Sequence, residues 1–265
     1  MKKIVPKMLI LMFFLTACST NEQTETSEKL DTESPKSVEL TVSAAASLQD
    51  ALTDISEEFE KEHSTIKINY NFGASGALQQ QISQGAPVDL FFSAAEDKFD
   101  TLVAEGLIEE KNGIDLVGNS LVLVTPKNSS IEMKSFNDMT KANTVALGTP
   151  ESVPAGKYGK DTLENIGVWD DIEDRVVFAK DVRQVLTYVE TNNVDAGIVY
   201  QTDALTSDKV NIVATAEEDL HGPIIYPLGI VNNSSHLEEA ELFYNFLKDN
   251  HAINILVEYG FKDLR

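Results

Sequence analysis

From residue 38 onward the apolar side chains keep two rhythms: short runs with a two-residue beat, and longer segments where they recur every three or four positions. "VELTVSAA" (38–45) predicts a strand, and "SLQDALTDISEEFEKE" (47–62) predicts a helix with Leu48, Ala51, Leu52, Ile55 and Phe59 on one face. Ser47 and Asp50 stand at the S-x-x-D spacing of a capping box at its start. "IKINYNF" (66–72) is the next strand, and Ser75 opens the helix after it. "VDLFFSA" (88–94) is a buried strand, followed by an acidic helix near 95–106. Strand and helix in alternation predict an α/β sheet with parallel strands.

Near Gly118 the pattern resets. "SLVLVTP" (120–126) predicts a strand, "TVALGTPESVPAGKYGKDTLENIG" (144–167) a strand, loop and helix, and "RVVFAKDVRQVLTYVETN" (175–192) repeats that order. In the last segment Val182, Val185, Leu186 and Val189 share a helix face. "DAGIVY" (195–200) and "IIYPLGIV" (224–231) are further strands, and two helices close the chain. The expected layout is two α/β lobes, the first built from 38–117 plus 226–265 and the second from 118–225.

The first 37 residues have another character. Lys2, Lys3 and Lys7 precede the apolar "MLILMFFLTA", too short to span a membrane stably, so residues 1–17 predict a signal peptide. Leu15-Thr16-Ala17-Cys18 resembles a bacterial lipobox, which implies cleavage before Cys18 and a diacylglyceryl group on its thiol. Cys18 is the only cysteine, so disulfides within the chain and metal–cysteine sites are excluded. Residues 18–37 are polar and acidic, the composition of a flexible stalk behind a lipid anchor.

A formal charge of −22 argues against nucleic acid and anionic lipid as partners. It does not exclude a small anion. Surface carboxylates beyond about 8 Å are largely screened at physiological salt, whereas donors at about 3 Å act in full.

Four strand-to-helix junctions share one chemistry: "AAASL" at Ser47, "GASGAL" at Ser75, "ESVPAGKY" at Ala155 and "AKDVRQV" at Val182. Each exposes N–H groups that lack an intrahelical acceptor, beside residues small enough for close backbone approach. Pro154 suits a first helical position, and Asp181 with Gln184 forms a cap pair. Two lobes with two such junctions each make a cleft of neutral donors suited to an oxyanion. Ser75 admits another reading, as a hydrolase nucleophile with Asp195 and His221, but Gly73-x-Ser75-x-Ala77 lacks the final glycine of that motif.

"AAASL", "QISQGAPVDLFFSA", "GNSLVLV", "PESVPAGKYGKDTL", "DVRQVL", "GIVYQTDA" and "EYGF" together resemble the bacterial molybdate-binding proteins of ABC importers, over about residues 38–263. The resemblance implies a two-lobed periplasmic-binding-protein type II fold, each lobe a mixed, mostly parallel sheet flanked by helices, with the ligand in the inter-lobe cleft. It implies molybdate, and tungstate with it, held by Ser47, Ser75, Ala155, Val182 and Tyr200. It further implies a monomeric receptor without cofactor or catalysis, which delivers its anion to a membrane permease driven by a cytoplasmic ATPase. The resemblance would tolerate a more serine-rich run at the turn "FGASGAL"; those extra hydroxyl donors are absent here, which leaves the number of contacts at that corner open. Sulfate and phosphate are the alternative ligands; phosphate normally wants a carboxylate to accept its remaining proton, and none of the five positions supplies one.

Other residues fit structural roles. Arg183 is expected in an ion pair beside the cleft, Lys157 in solvent and Trp169 in packing. His63, His221, His236 and His251 have no metal-ligand spacing.

Overall fold

The computed structural model describes residues 37–265; the expected signal peptide, Cys18 and the expected stalk up to residue 36 lie outside the described residues. In chain order the first elements are β1 (Val38–Ala45), α1 (Gln49–Glu62), β2 (Ile66–Gly73), α2 (Ser75–Ser83), β3 (Leu90–Phe92), α3 (Glu96–Ala104) and β4 (Ile108–Gly118). There follow β5 (Leu121–Pro126), β6 (Val145–Gly148), α4 (Pro154–Asn165), α5 (Trp169–Ile172), β7 (Val176–Ala179), α6 (Val182–Glu190), β8 (Ala196–Tyr200), α7 (Gln201–Leu205) and β9 (Val210–Thr215). β10 (Ile225–Val231), α8 (Leu237–Lys248), α9 (Asn250–Glu258) and β11 (Lys262–Asp263) complete the chain.

The strands form two sheets, ordered β11-β4-β10-β3-β1-β2 and β7-β6-β8-β5-β9. Each sheet contains three mutually parallel strands, β2-β1-β3 in one and β7-β6-β8 in the other, where strand–helix alternation predicts them. The remaining pairs are antiparallel, so the sheets are mixed and their parallel pairing is less extensive than expected. The physical reason is that the chain crosses between sheets twice. Each crossing delivers a strand, β5 or β10, that runs against its neighbours. The crossing segments touch, with the Asn119 N–H donating to the Ile224 carbonyl at 3.2 Å.

β4 and β9 carry no clear alternating pattern. Exposed Glu109, Glu110 and Lys111 interrupt β4, whose buried ends are Ile108 and Leu116–Gly118, and β9 is a largely solvated edge. The amphipathic faces behave as their spacing requires. Ala51, Leu52, Ile55 and Phe59 of α1 are buried, and the Phe59 ring packs edge-on against Phe243 of α8 at 4.8 Å. Fully burying a Leu or Phe side chain contributes about 1.5–3 kcal/mol. Such faces hold the helices rigidly enough for their N-termini to define a site.

Candidate anion-binding site

The parallel strands of both sheets end at one place. There Ser47, Ser75, Ala155, Val182 and Tyr200 line a single cavity, with small residues such as Ala46, Gly73 and Ala94 between them. Its volume is about 10 Å³, room for about one water molecule, so the donors converge on a nearly closed space, whereas pockets for organic ligands run to about 300–1,000 Å³. Among the described residues the lining contains no histidine, carboxylate, lysine or arginine.

The donors arise from local folding. Pro154 occupies the first position of α4, where its missing N–H costs nothing, and Ala155 follows with an N–H in the unpaired first turn. Asp181 caps α6 by accepting the Gln184 N–H at 2.8 Å, which leaves the Val182 N–H at the helix start. The Gln184 side chain returns to the Lys180 N–H at 2.8 Å, extending the expected cap pair. Ser75 is the first residue of α2 rather than its cap, which is Ala74. Its Oγ accepts the Ala94 N–H at 2.9 Å, so its own proton is free for the cavity.

The capping box expected at Ser47 does not form. A 3-10 turn, Ala46–Leu48, intervenes, and Leu48 rather than a serine precedes α1. Ser47 Oγ instead lies 2.8 Å from Tyr226 Oη, and Asp50 turns to Arg183. Tyr200 ends β8 with its ring 1 % exposed and its hydroxyl without a hydrogen-bond partner among the described residues. Burial, reinforced by the nearby Tyr226 and Tyr158, holds that phenol well above its ordinary pKa, so it keeps its proton as a donor.

Arg183, one residue from the cavity lining, points away from it. Its guanidinium pairs with Asp50 of α1 and places Nε 2.8 Å from Asp203 Oδ1 of α7, an ion pair that misses the direction of a hydrogen bond. Burial raises the Asp203 carboxyl to about 7, against the lowering influence of Arg183. This bridge joins α1, packed with the first sheet, to α6 and α7 of the second. A larger groove of about 740 Å³ beside it carries Asp50, Glu190 and Glu258, a lining that disfavours an anion. A second link between the halves is the Gly76 N–H, which donates to the Ser152 carbonyl at 3.0 Å. Lys157, half-exposed, is 4.0 Å from Asp97, and buried Trp169 packs under Lys160.

The hydrolase constellation is not assembled. Asp195 accepts the N–H groups of Asn143 and Thr144, and His221 lines a different cavity. Among the described residues no group of three His, Cys, Asp or Glu side chains is placed to hold a metal ion.

The family profile of bacterial extracellular solute-binding proteins matches residues 40–262. The chain belongs to that family. This solute-binding protein is 53% identical over 253 residues to a Bacillus subtilis protein named as an ABC transporter substrate-binding lipoprotein, YvgL, covering 96% of this chain and 95% of the relative. It is 39% identical over 228 residues to the molybdate-binding protein ModA of Escherichia coli, covering 84% and 88% of the two chains. The solved substrate-binding domain of a molybdenum ABC transporter from Clostridium difficile superposes with a TM-score of 0.67 at 42% identity, covering 86% of this chain and all of the other.

Tyr226 and Asn119 were not legible as site residues, although Asn119 hydrogen-bonds Tyr226 and Tyr226 hydrogen-bonds Ser47. The available signal was modest: a tyrosine inside an apolar strand needs a polar partner.

Proposed function

We propose that this solute-binding protein captures molybdate, and tungstate with it, outside the cytoplasmic membrane and hands it to an ABC permease driven by a cytoplasmic ATPase. Ser47, Ser75 and Tyr200 donate hydroxyl protons, and Ala155 and Val182 donate backbone N–H groups. The protein acts as a monomer tethered through a lipid on Cys18, with lobes 38–117 plus 226–265 and 118–225 closing on the ion. It performs no chemistry on its ligand.

The observation that carries this reading is the buried Tyr200 hydroxyl, which has no hydrogen-bond partner among the described residues, in a small cavity lined by neutral groups. A buried polar group without a partner costs about 1–3 kcal/mol, and an oxyanion removes that cost. The names borne by the Escherichia coli relative and by the Clostridium difficile structure support molybdenum as the element carried. The YvgL name supports the lipid anchor. No helix among the described residues is long and apolar enough to cross a membrane.

The test is isothermal titration with molybdate, tungstate and sulfate. Molybdate and tungstate are expected to bind tightly and to raise the melting temperature, by about 2.7 kcal/mol of stabilisation at a hundred times Kd. Tight binding of sulfate with none of molybdate overturns the assignment.

A further inference from the structure

We propose that Asn119 and Tyr226 form a positioning relay that fixes the Ser47 hydroxyl as a donor into the cavity. The inference rests on the oxyanion reading above and adds two residues that do not themselves line the site.

The direction of each proton follows from the preceding one. The Ser120 N–H donates to Asn119 Oδ1 at 2.9 Å, which settles the orientation of the amide. Asn119 Nδ2 therefore faces its two remaining neighbours and donates to Thr202 Oγ1 at 2.9 Å and to Tyr226 Oη at 3.1 Å. Both amide protons are used. Tyr226 is fully buried, and its one proton has Ser47 Oγ as its partner at 2.8 Å. Tyr226 Oη already accepts from Asn119, so if Ser47 donated to it as well the phenol proton would have to find another buried acceptor. Tyr226 donates, Ser47 accepts, and the serine proton turns to the cavity that Ser47 lines.

The relay starts where the chain crosses between the sheets. Asn119 occupies the first crossing, its backbone pairs with Ile224 of the second, and Tyr226 follows in β10. Thr202, two residues beyond Tyr200, ties in the second lobe. One amide thus holds both connections and sets the polarity of Ser47. Ser75, committed as acceptor to the Ala94 N–H, has the same polarity by a different route. Both serine protons are thus turned to the cavity as donors, which favours an anion whose oxygens are all free to accept.

The test is a double-mutant cycle on the full chain purified in detergent, with Ser47→Ala, Tyr226→Phe and the pair titrated with molybdate and with sulfate. Each single substitution is expected to weaken binding by about tenfold or more, and the double variant to bind no worse than Ser47→Ala alone. Effects that multiply mean that Tyr226 acts through packing, and a Tyr226→Phe protein that binds like wild type means that Ser47 needs no relay; either overturns the proposal. If Tyr226→Phe does not fold, Asn119→Asp, which replaces the donating amide by an acceptor of the same shape, takes its place in the cycle with the same criteria. Wild type binding neither anion removes the oxyanion reading and the relay with it, whereas multiplicative effects on a binding wild type remove the relay alone.

Discussion

Replacing Tyr200 by phenylalanine separates a ligand-binding hydroxyl from a structural one, because the two roles predict opposite signs for stability. The ring is buried and meets Tyr226 edge-on at 5.8 Å, a contact that phenylalanine preserves. Only the oxygen is lost, and that oxygen has no hydrogen-bond partner within normal geometry among the described residues. In the anion-free protein its removal relieves a buried unsatisfied group, a gain of about 1 kcal/mol at the low end of the usual range. For a domain of this size that raises Tm by about 2–4 °C. In the complex the same substitution deletes a hydrogen bond to a charged group, worth about 1.5–3 kcal/mol, or about 10- to 150-fold in Kd. Calorimetric melting of dialysed protein and titration with molybdate read the two effects on one sample. A variant that binds within twofold of wild type refutes the placement of Tyr200 against the anion. A fall in Tm without anion means that the hydroxyl has a partner within the protein.

Ser75→Ala should lose on both counts, because it removes a donor to the anion and strands the Ala94 N–H; about 1–3 kcal/mol of stability should disappear in denaturant titrations together with affinity, and unchanged stability would refute the bond to Ala94. Arg183→Met leaves Asp203 buried without its cation, which costs about 3–5 kcal/mol once that carboxyl ionises. Burial raises Asp203 to about 7, so its contribution to stability is complete below the unfolded carboxylate pKa and is lost as pH rises through the folded value; without Arg183 that value moves higher still. The deficit of Arg183→Met, measured by urea unfolding, should therefore grow between pH 6 and pH 8, and a deficit independent of pH would refute the pairing. Gly76→Ala places a Cβ 2.8 Å from the Ser152 carbonyl oxygen across the cleft. Overpacking of that kind costs about 1–3 kcal/mol, so molybdate should bind more weakly and contract the protein less in solution scattering; wild-type affinity with full contraction would refute it.

How much of this could be read without coordinates depends on how local each cause is. The faces of α1 and α6 follow from spacing alone, because Leu52, Ile55 and Phe59, or Val185 and Val189, are buried by the geometry of one helix. Pro154 and Asp181 are legible for the same reason, since a first-turn proline and an N-cap aspartate act within four residues. The destination of the Ser47 hydroxyl is not local: Tyr226 is 179 positions away, and the S-x-x-D pattern that predicted a cap is broken by the 3-10 turn. β4 was illegible because Glu109 to Lys111 interrupt its apolar ends, and it is held in the sheet by pairing with β10, more than a hundred residues on. The sequence places Arg183 in an ion pair beside the cleft, but its partners, one on each half, come only from the tertiary fold.

The position of Arg183 bears on why the cavity is neutral. Arg183 follows Val182, a residue of the cavity lining, yet its guanidinium is engaged by Asp50 and Asp203. A free cation there would attract chloride, phosphate and carboxylates alike, since Coulomb attraction depends on charge and distance and hardly on shape. Fixed N–H and O–H dipoles discriminate because each is worth its full energy only at one distance and direction. Sequestering the cation in an ion pair between α6 and α1 turns its charge to another use, joining the two halves as they stand in this structure, and leaves recognition to groups whose geometry the helix starts already determine.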